Sequence, residues 1–213
     1  MGRRRALLRL SVGDIHDDVS QTGNISGIKE AQAAFISEDI TNRGSRHQAE
    51  ALLNKVEHFN AEILAQLGKM DTQQLEDFLD ESAFNVHGRA TDLGSGVGLV
   101  GVGYSTPTPF GTPGEVRDTQ IRVWLDQTMA QARNFEHLIP MAHNPPLDTL
   151  TDRVRSGQPV GSRAVRQFIA KHEPQVGITG HIHESRAVDW LGKTRLINPG
   201  FFGTGAQVLG RPC

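Results

Sequence analysis

At 213 residues, with 37% apolar and 22% charged side chains, the chain has the length of a single domain spanning 1–213 and the composition of an ordinary globular protein. A formal net charge of −2 excludes a whole-protein attraction to nucleic acid or to an anionic membrane, and no clear nucleic-acid surface stands out. The one cysteine, Cys213, excludes an intrachain disulfide and a cysteine-type zinc site, which suits a reducing compartment.

No window approaches the roughly 20 apolar residues that a membrane span needs. The basic start, Arg3 to Arg5, is expected to be solvated. The apolar run behind it is too short for a signal peptide and has no small-residue cleavage site. A cytoplasmic location is the default expectation.

Taken in order, residues 6–12 read as a first strand and 33–37 as a second. From 46 to 59, Ala49, Leu52, Leu53, Val56 and Phe59 recur at helical spacing. Residues 63–67 form a third strand. An acid-rich helix from 72 to about 79 follows, with Asp71 expected as its N-cap. Residues 97–104 are a glycine-punctuated strand. The stretch 105–114, where Pro107, Pro109, Pro113, Gly111 and Gly114 cluster, is a loop.

Ile121, Trp124, Leu125, Thr128 and Ala132 mark the buried face of the longest helix. Residues 137–142 form a strand ended by the turn Asn144-Pro145-Pro146. A polar loop over 147–160, a helix anchored by Val165, Phe168 and Ile169, a strand over 176–179 and two or three hairpin strands from Ala187 complete the chain. The alternation predicts an α/β protein.

Candidate metal ligands sit just after the predicted strands. Asp14 and His16 follow the first, Asp39 the second, His143 the strand before the prolines, and His181 with His183 the late strand. In open α/β sheets ligands bind beyond the carboxyl ends of the strands, so these loops are expected to meet in one crevice. In extended chain, residues two apart point the same way, so Asp14 with His16, and His181 with His183, are expected to face a common point. Imidazole and carboxylate together suit manganese, iron, zinc or nickel. His47, His58, His87, His137 and His172 lack such a setting and are expected on the surface or in the core.

The ordered set resembles the calcineurin-like metallophosphoesterase superfamily. Gly13-Asp14-Ile15-His16 looks like its Asp-x-His motif, and the run from Glu38 to Gly44 like its Gly-Asp motif. Gly68-Lys69-Met70-Asp71 looks like its Gly-Asn-His-Asp motif, His143 like its isolated histidine, and Gly180-His181-Ile182-His183 like its Gly-His-x-His motif. Asn198-Pro199-Gly200 matches a turn often found afterwards. The resemblance implies an α/β fold built as a four-layer α/β/β/α sandwich with two mixed β-sheets. It also implies one or two divalent transition metal ions, the first on Asp14, His16, Asp39 and His183. Asp39 would bridge to a second on His143, His181 and position 69. The implied activity is hydrolysis of phosphate esters by a metal-activated water, with Arg43 steadying a phosphate oxygen.

Three positions depart from that pattern. Lys69 stands where the family has a neutral Asn ligand, and an ammonium has no acceptor atom, so a weakened second site is expected. Met70 stands where many members carry the His that protonates the leaving group, which favours phosphodiesters and good leaving groups over protein phosphoserine. Glu38 replaces a glycine beside the bridging ligand. The leading expectation is a small-molecule phosphoesterase; the alternative is a catalytically weakened fold acting as a binding or scaffold protein.

Overall fold

The computed structural model describes residues 9–13, 15–18, 20, 31, 33–37, 39–42, 45–58, 62–201 and 207–209. Within them lie two sheets. The first has strand order β10-β1-β2-β3, from β1 (Arg9–Val12), β2 (Ala33–Ile36), β3 (Glu62–Ala65) and β10 (Gln207–Leu209). β1, β2 and β3 run parallel and β10 antiparallel to β1.

The second sheet has strand order β4-β5-β6-β7-β9-β8. Its strands are β4 (Ala90–Asp92), β5 (Val97–Val102), β6 (His137–Ala142), β7 (Val176–Thr179), β8 (Ala187–Leu191) and β9 (Thr194–Asn198). β5, β6, β7 and β9 are parallel, and β4 and β8 are antiparallel edges. Both sheets are therefore mixed.

Alternation along the strands divides the core into three apolar layers. Leu10, Val12, Ala34, Ile36, Ile63 and Ala65 face Leu52, Leu53 and Val56 of α1 (Arg46–Glu57) and Leu75, Phe78 and Leu79 of α2 (Gln73–Glu81). Their neighbours Ala33, Phe35 and Leu64 point the other way and meet Leu99, Met141 and Ile178 between the sheets. Val100, Val102, Ala142 and Leu196 then face Ile121 and Leu125 of α3 (Asp118–Gln131) and Val165, Phe168 and Ile169 of α4 (Arg163–His172). The result is the four-layer α/β/β/α sandwich. Each fully buried side chain the size of Phe35 contributes roughly 1.5–3 kcal/mol through the apolar surface it removes from water.

Local chemistry explains the element ends. Ser45 caps α1 in a reciprocal box with Gln48. Ser162 caps α4 by accepting from the Val165 N–H. Two expectations are corrected here. The N-cap of α2 is Thr72, not Asp71, and Thr72 makes no side-chain cap bond; the Asp71 carboxylate is turned instead toward loops of the first sheet. Trp124 is only partly buried, with its ring edge-on to His87 at 4.6 Å. β4 has no counterpart among the predicted strands. It returns into β5 through Gly94, Ser95 and Gly96, all in left-handed backbone. No described helix is long and apolar enough to cross a membrane.

Candidate metal centre

Parallel strands of both sheets end on one side of the molecule, and the loops leaving them carry the candidate ligands. His16 follows β1, Asp39 follows β2, His143 follows β6, and His181 and His183 follow β7. Asp14, Arg43 and Glu38 lie outside the described residues.

The loops after β1 and β2 are joined by backbone bonds. The His16 N–H donates to the Asp39 carbonyl at 3.0 Å and the Asp17 N–H to the Ile40 carbonyl at 3.2 Å. His16 Nδ1 lies 2.6 Å from Asn42 Oδ1. An amide oxygen only accepts, so Nδ1 donates in this contact, and Nε2 is the ring nitrogen turned toward the site. That Nε2 lies 3.1 Å from His183 Nε2 and 3.7 Å from Asp39 Oδ2. One ligand atom from each of His16, Asp39 and His183 lies within 4.8 Å of the others. Two nitrogens bound to one cation at about 2.0–2.1 Å stand roughly 3.0–3.4 Å apart, so the His16–His183 separation fits joint coordination. Two imidazoles and a carboxylate form a donor set for manganese, iron, zinc or nickel.

His143 and His181 meet separately. Their ring centroids are 4.8 Å apart, and both side chains are buried. The His143 N–H donates to the Val102 carbonyl at 3.0 Å and the Gly180 N–H to the His143 carbonyl at 3.2 Å, which ties together the ends of β5, β6 and β7. His181 has φ 68° and sits inside a γ-turn closed by the Ile182 N–H on the Gly180 carbonyl at 2.7 Å. His183 opens a 3-10 turn, His183–Ser185.

The extended-chain expectation for His181 and His183 is therefore corrected, while that for Asp14 with His16 falls on a residue outside the described ones. The γ-turn sends His181 to His143 and His183 to His16, and His16 itself has φ 45° in a turn. Left-handed backbone at non-glycine residues is costly and persists where the surroundings over-determine it.

The surroundings do so here. Asp39 Oδ1 accepts from the Met70 N–H at 2.8 Å. A Cβ on Gly68 would fall 2.0 Å from that same oxygen, so only glycine allows the approach. The buried Asp71 carboxylate accepts from the N–H groups of Gly68, Ile40 and Thr41 at 2.9–3.0 Å and from the Thr41 hydroxyl at 3.0 Å. It thereby clamps the Asp39 loop to the Gly68 loop. Burial pushes its carboxyl pKa up, and the donated bonds from Gly68, Thr41 and Ile40 pull against that rise.

Behind the histidines, Asn198 Nδ2 donates to the carbonyls of Ile182 and Thr151, while its Oδ1 accepts from the Gly200 N–H. Phe201 lies 6.0 Å from the His16 ring and 5.9 Å from that of His183, forming an apolar flank. Lys69 is half-buried, and its ammonium lies 5.9 Å from the centre of the Phe110 ring.

Asn42, Asn198 and Phe201 carry parts of this site that the motif reading did not assign. Asn42 and Asn198 lie within quoted motifs, but nothing in their spacing reveals a hydrogen bond to a ligand or its loop.

No family model matches the chain. It is 28% identical over 173 residues to the uncharacterized protein MJ1162 of Methanocaldococcus jannaschii, covering 79% of this chain and 77% of that one. Its structure is similar to that of TT1561 of Thermus thermophilus, with a TM-score of 0.72 at 12% identity over 97% of this chain and 99% of the other. A candidate 5'-nucleotidase from Staphylococcus aureus aligns with a TM-score of 0.64 at 16% identity, over 96% of this chain and 50% of that one. At these identities the likeness is one of fold, and it agrees with the motif order. The chain shares its four-layer fold with the latter two proteins, and its motif order resembles that of the calcineurin-like metallophosphoesterase superfamily.

Proposed function

We propose that the chain is a metal-dependent phosphoesterase acting on small-molecule phosphate esters, phosphodiesters foremost. The observation that carries this reading is the meeting of His16, Asp39 and His183 around one point, with their ligand atoms within 4.8 Å of one another. Those three, with Asp14, would hold a first divalent ion; Asp39 with His143 and His181 would hold a second. A manganese, iron, zinc or nickel ion held there supplies Lewis acidity, toward phosphoryl oxygens and toward water, that makes hydrolysis feasible near neutral pH.

The chain's own residues do the rest. The Asn42 side chain accepts from His16 Nδ1, so that Nε2 is the nitrogen facing the site. The Met70 N–H holds one oxygen of Asp39, leaving the other turned toward His16. Arg43 would match two oxygens of a phosphate with its planar fork. Met70 offers no proton to a leaving group, so substrates whose leaving group departs unaided are favoured. Lys69 weakens the second ion site, because an ammonium donates only.

The 213-residue chain loaded with manganese is expected to hydrolyse bis(p-nitrophenyl) phosphate, and His183→Ala to abolish turnover and lower retained metal. Equal turnover by wild type with and without metal would refute the reading.

A further inference from the structure

Phe110, at 75% exposure, stands furthest into solvent of the large apolar side chains among the described residues. It sits on the 103–117 connection between β5 and α3, and both feet of that connection rest on the metal-site loops. At one foot the Thr106 N–H donates to Asn144 Oδ1 at 2.5 Å, one residue beyond His143. At the other the Gly114 N–H donates to the Lys69 carbonyl at 2.8 Å, one residue before Met70 and its bond to Asp39. A Cβ on Gly114 would fall 2.9 Å from Lys69 Cα, so the two backbones are in contact.

Between the feet the loop is braced on Glu115. Its carboxylate accepts from the Thr108 hydroxyl at 2.5 Å, the Thr112 N–H at 2.9 Å and the Thr112 hydroxyl at 2.8 Å. The Thr108 hydroxyl oxygen in turn accepts from the Phe110 N–H at 3.2 Å. A loop stiffened in this way holds an aromatic ring in water, where the hydrophobic effect gives it no reason to be. The Lys69 ammonium lies over one face of the ring at 5.9 Å, and the exposure of Phe110 leaves the opposite face open.

We infer that Phe110 forms the recognition station for the substrate's non-reacting part, a planar aromatic group stacked on its ring, while Lys69 beside it holds an anionic oxygen of the phosphate ester. This deepens the phosphoesterase reading and rests on it; it names the substrate class as phosphodiesters that carry an aromatic ring, those of nucleosides first among them. An aromatic face accepts any base, so the station selects for a ring without choosing among bases. Lys69, with three donors on a flexible stem, supplies a point charge suited to a phosphate oxygen. The residue that weakens the second ion site thereby acquires a role in holding the ester.

Calorimetric titration of the metal-loaded 213-residue chain with AMP and with ribose 5-phosphate isolates the base. AMP is expected to bind about tenfold more tightly or better. Phe110→Ala and Phe110→Leu should erase that margin, and Phe110→Trp should keep it. Lys69→Gln should weaken both ligands alike and flatten the salt dependence of binding, and Lys69→Arg should retain most of the affinity. Equal affinities of the wild type for the two ligands, no AMP binding at all, or a margin that survives Phe110→Ala would each overturn the inference. A persistent AMP margin in a chain that hydrolyses no phosphate ester would instead overturn the phosphoesterase reading and leave the station standing.

Discussion

His16 Nδ1 lies 2.6 Å from Asn42 Oδ1, and the same Asn42 returns a bond from its Nδ2 to the His16 carbonyl at 3.2 Å. One side chain thus fixes both the ring and the backbone of a candidate ligand. Partners of this kind are worth about 10–100-fold in metal affinity. Asn42→Ala is expected to weaken binding of the first ion by that factor while the fold stays intact. Competition against a chelating dye measures the affinity, and unchanged affinity would show that Asn42 has no hold on the ring.

Gly68 stands against Asp39 so closely that a methyl group there would lie 2.0 Å from Oδ1. Its φ is not left-handed, so the strain in Gly68→Ala is one of contact. The carboxylate must move, and we expect retained metal to fall to near zero with the chain still folded. Metal analysis after desalting, paired with circular dichroism, separates that result from simple unfolding.

Asp71 accepts four hydrogen bonds while almost wholly buried. Asp71→Ala would leave those donors unanswered, each at a cost of about 1–3 kcal/mol before relaxation. A loss of at least about 3 kcal/mol in urea denaturation is expected. A loss under about 1 kcal/mol would mean that the clamp is not rigid.

His87 lies between Tyr104 and Trp124, and its Nδ1 accepts from the Gly103 N–H at 3.0 Å. Burial lowers its pKa below the ordinary 6.5; the Glu76 and Asp80 charges raise it and the Arg89 charge lowers it, but burial prevails. Between the folded and unfolded pKa the unfolded chain binds more protons, so stability falls as pH drops below 6.5 and is complete above it. His172, also lowered by burial, adds in the same direction. Denaturation at pH 7.5 and 5.5 should show this slope, and His87→Phe should flatten it; an unaltered slope would clear His87 of the effect.

How much of this was legible depended on where the information lay. β6 and β7 are short apolar runs bounded by proline, glycine and charge, and the predicted bounds 137–142 and 176–179 coincide with the strands found. β4 is three residues long, too few for a two-residue period to declare itself. Asp71 reads as a cap because an acid before a helix usually is one; its real partners, Ile40 and Thr41, lie about thirty positions away. The meeting of His16 with His183 spans 167 positions and rests on a γ-turn at His181. No local periodicity encodes that, and only the motif order pointed toward it. Phe110 read as part of a loop, since nothing in a run of prolines and threonines says which way the ring will face.

We propose that the loops after β1, β2, β6 and β7 hold one or two divalent transition ions. The most direct test is the metal content of the purified chain, by elemental analysis after manganese or zinc loading and desalting, with His183→Ala alongside. We predict at least one ion per wild-type chain and a clear loss in the variant. A folded wild type that retains no transition metal under any loading would contradict the account.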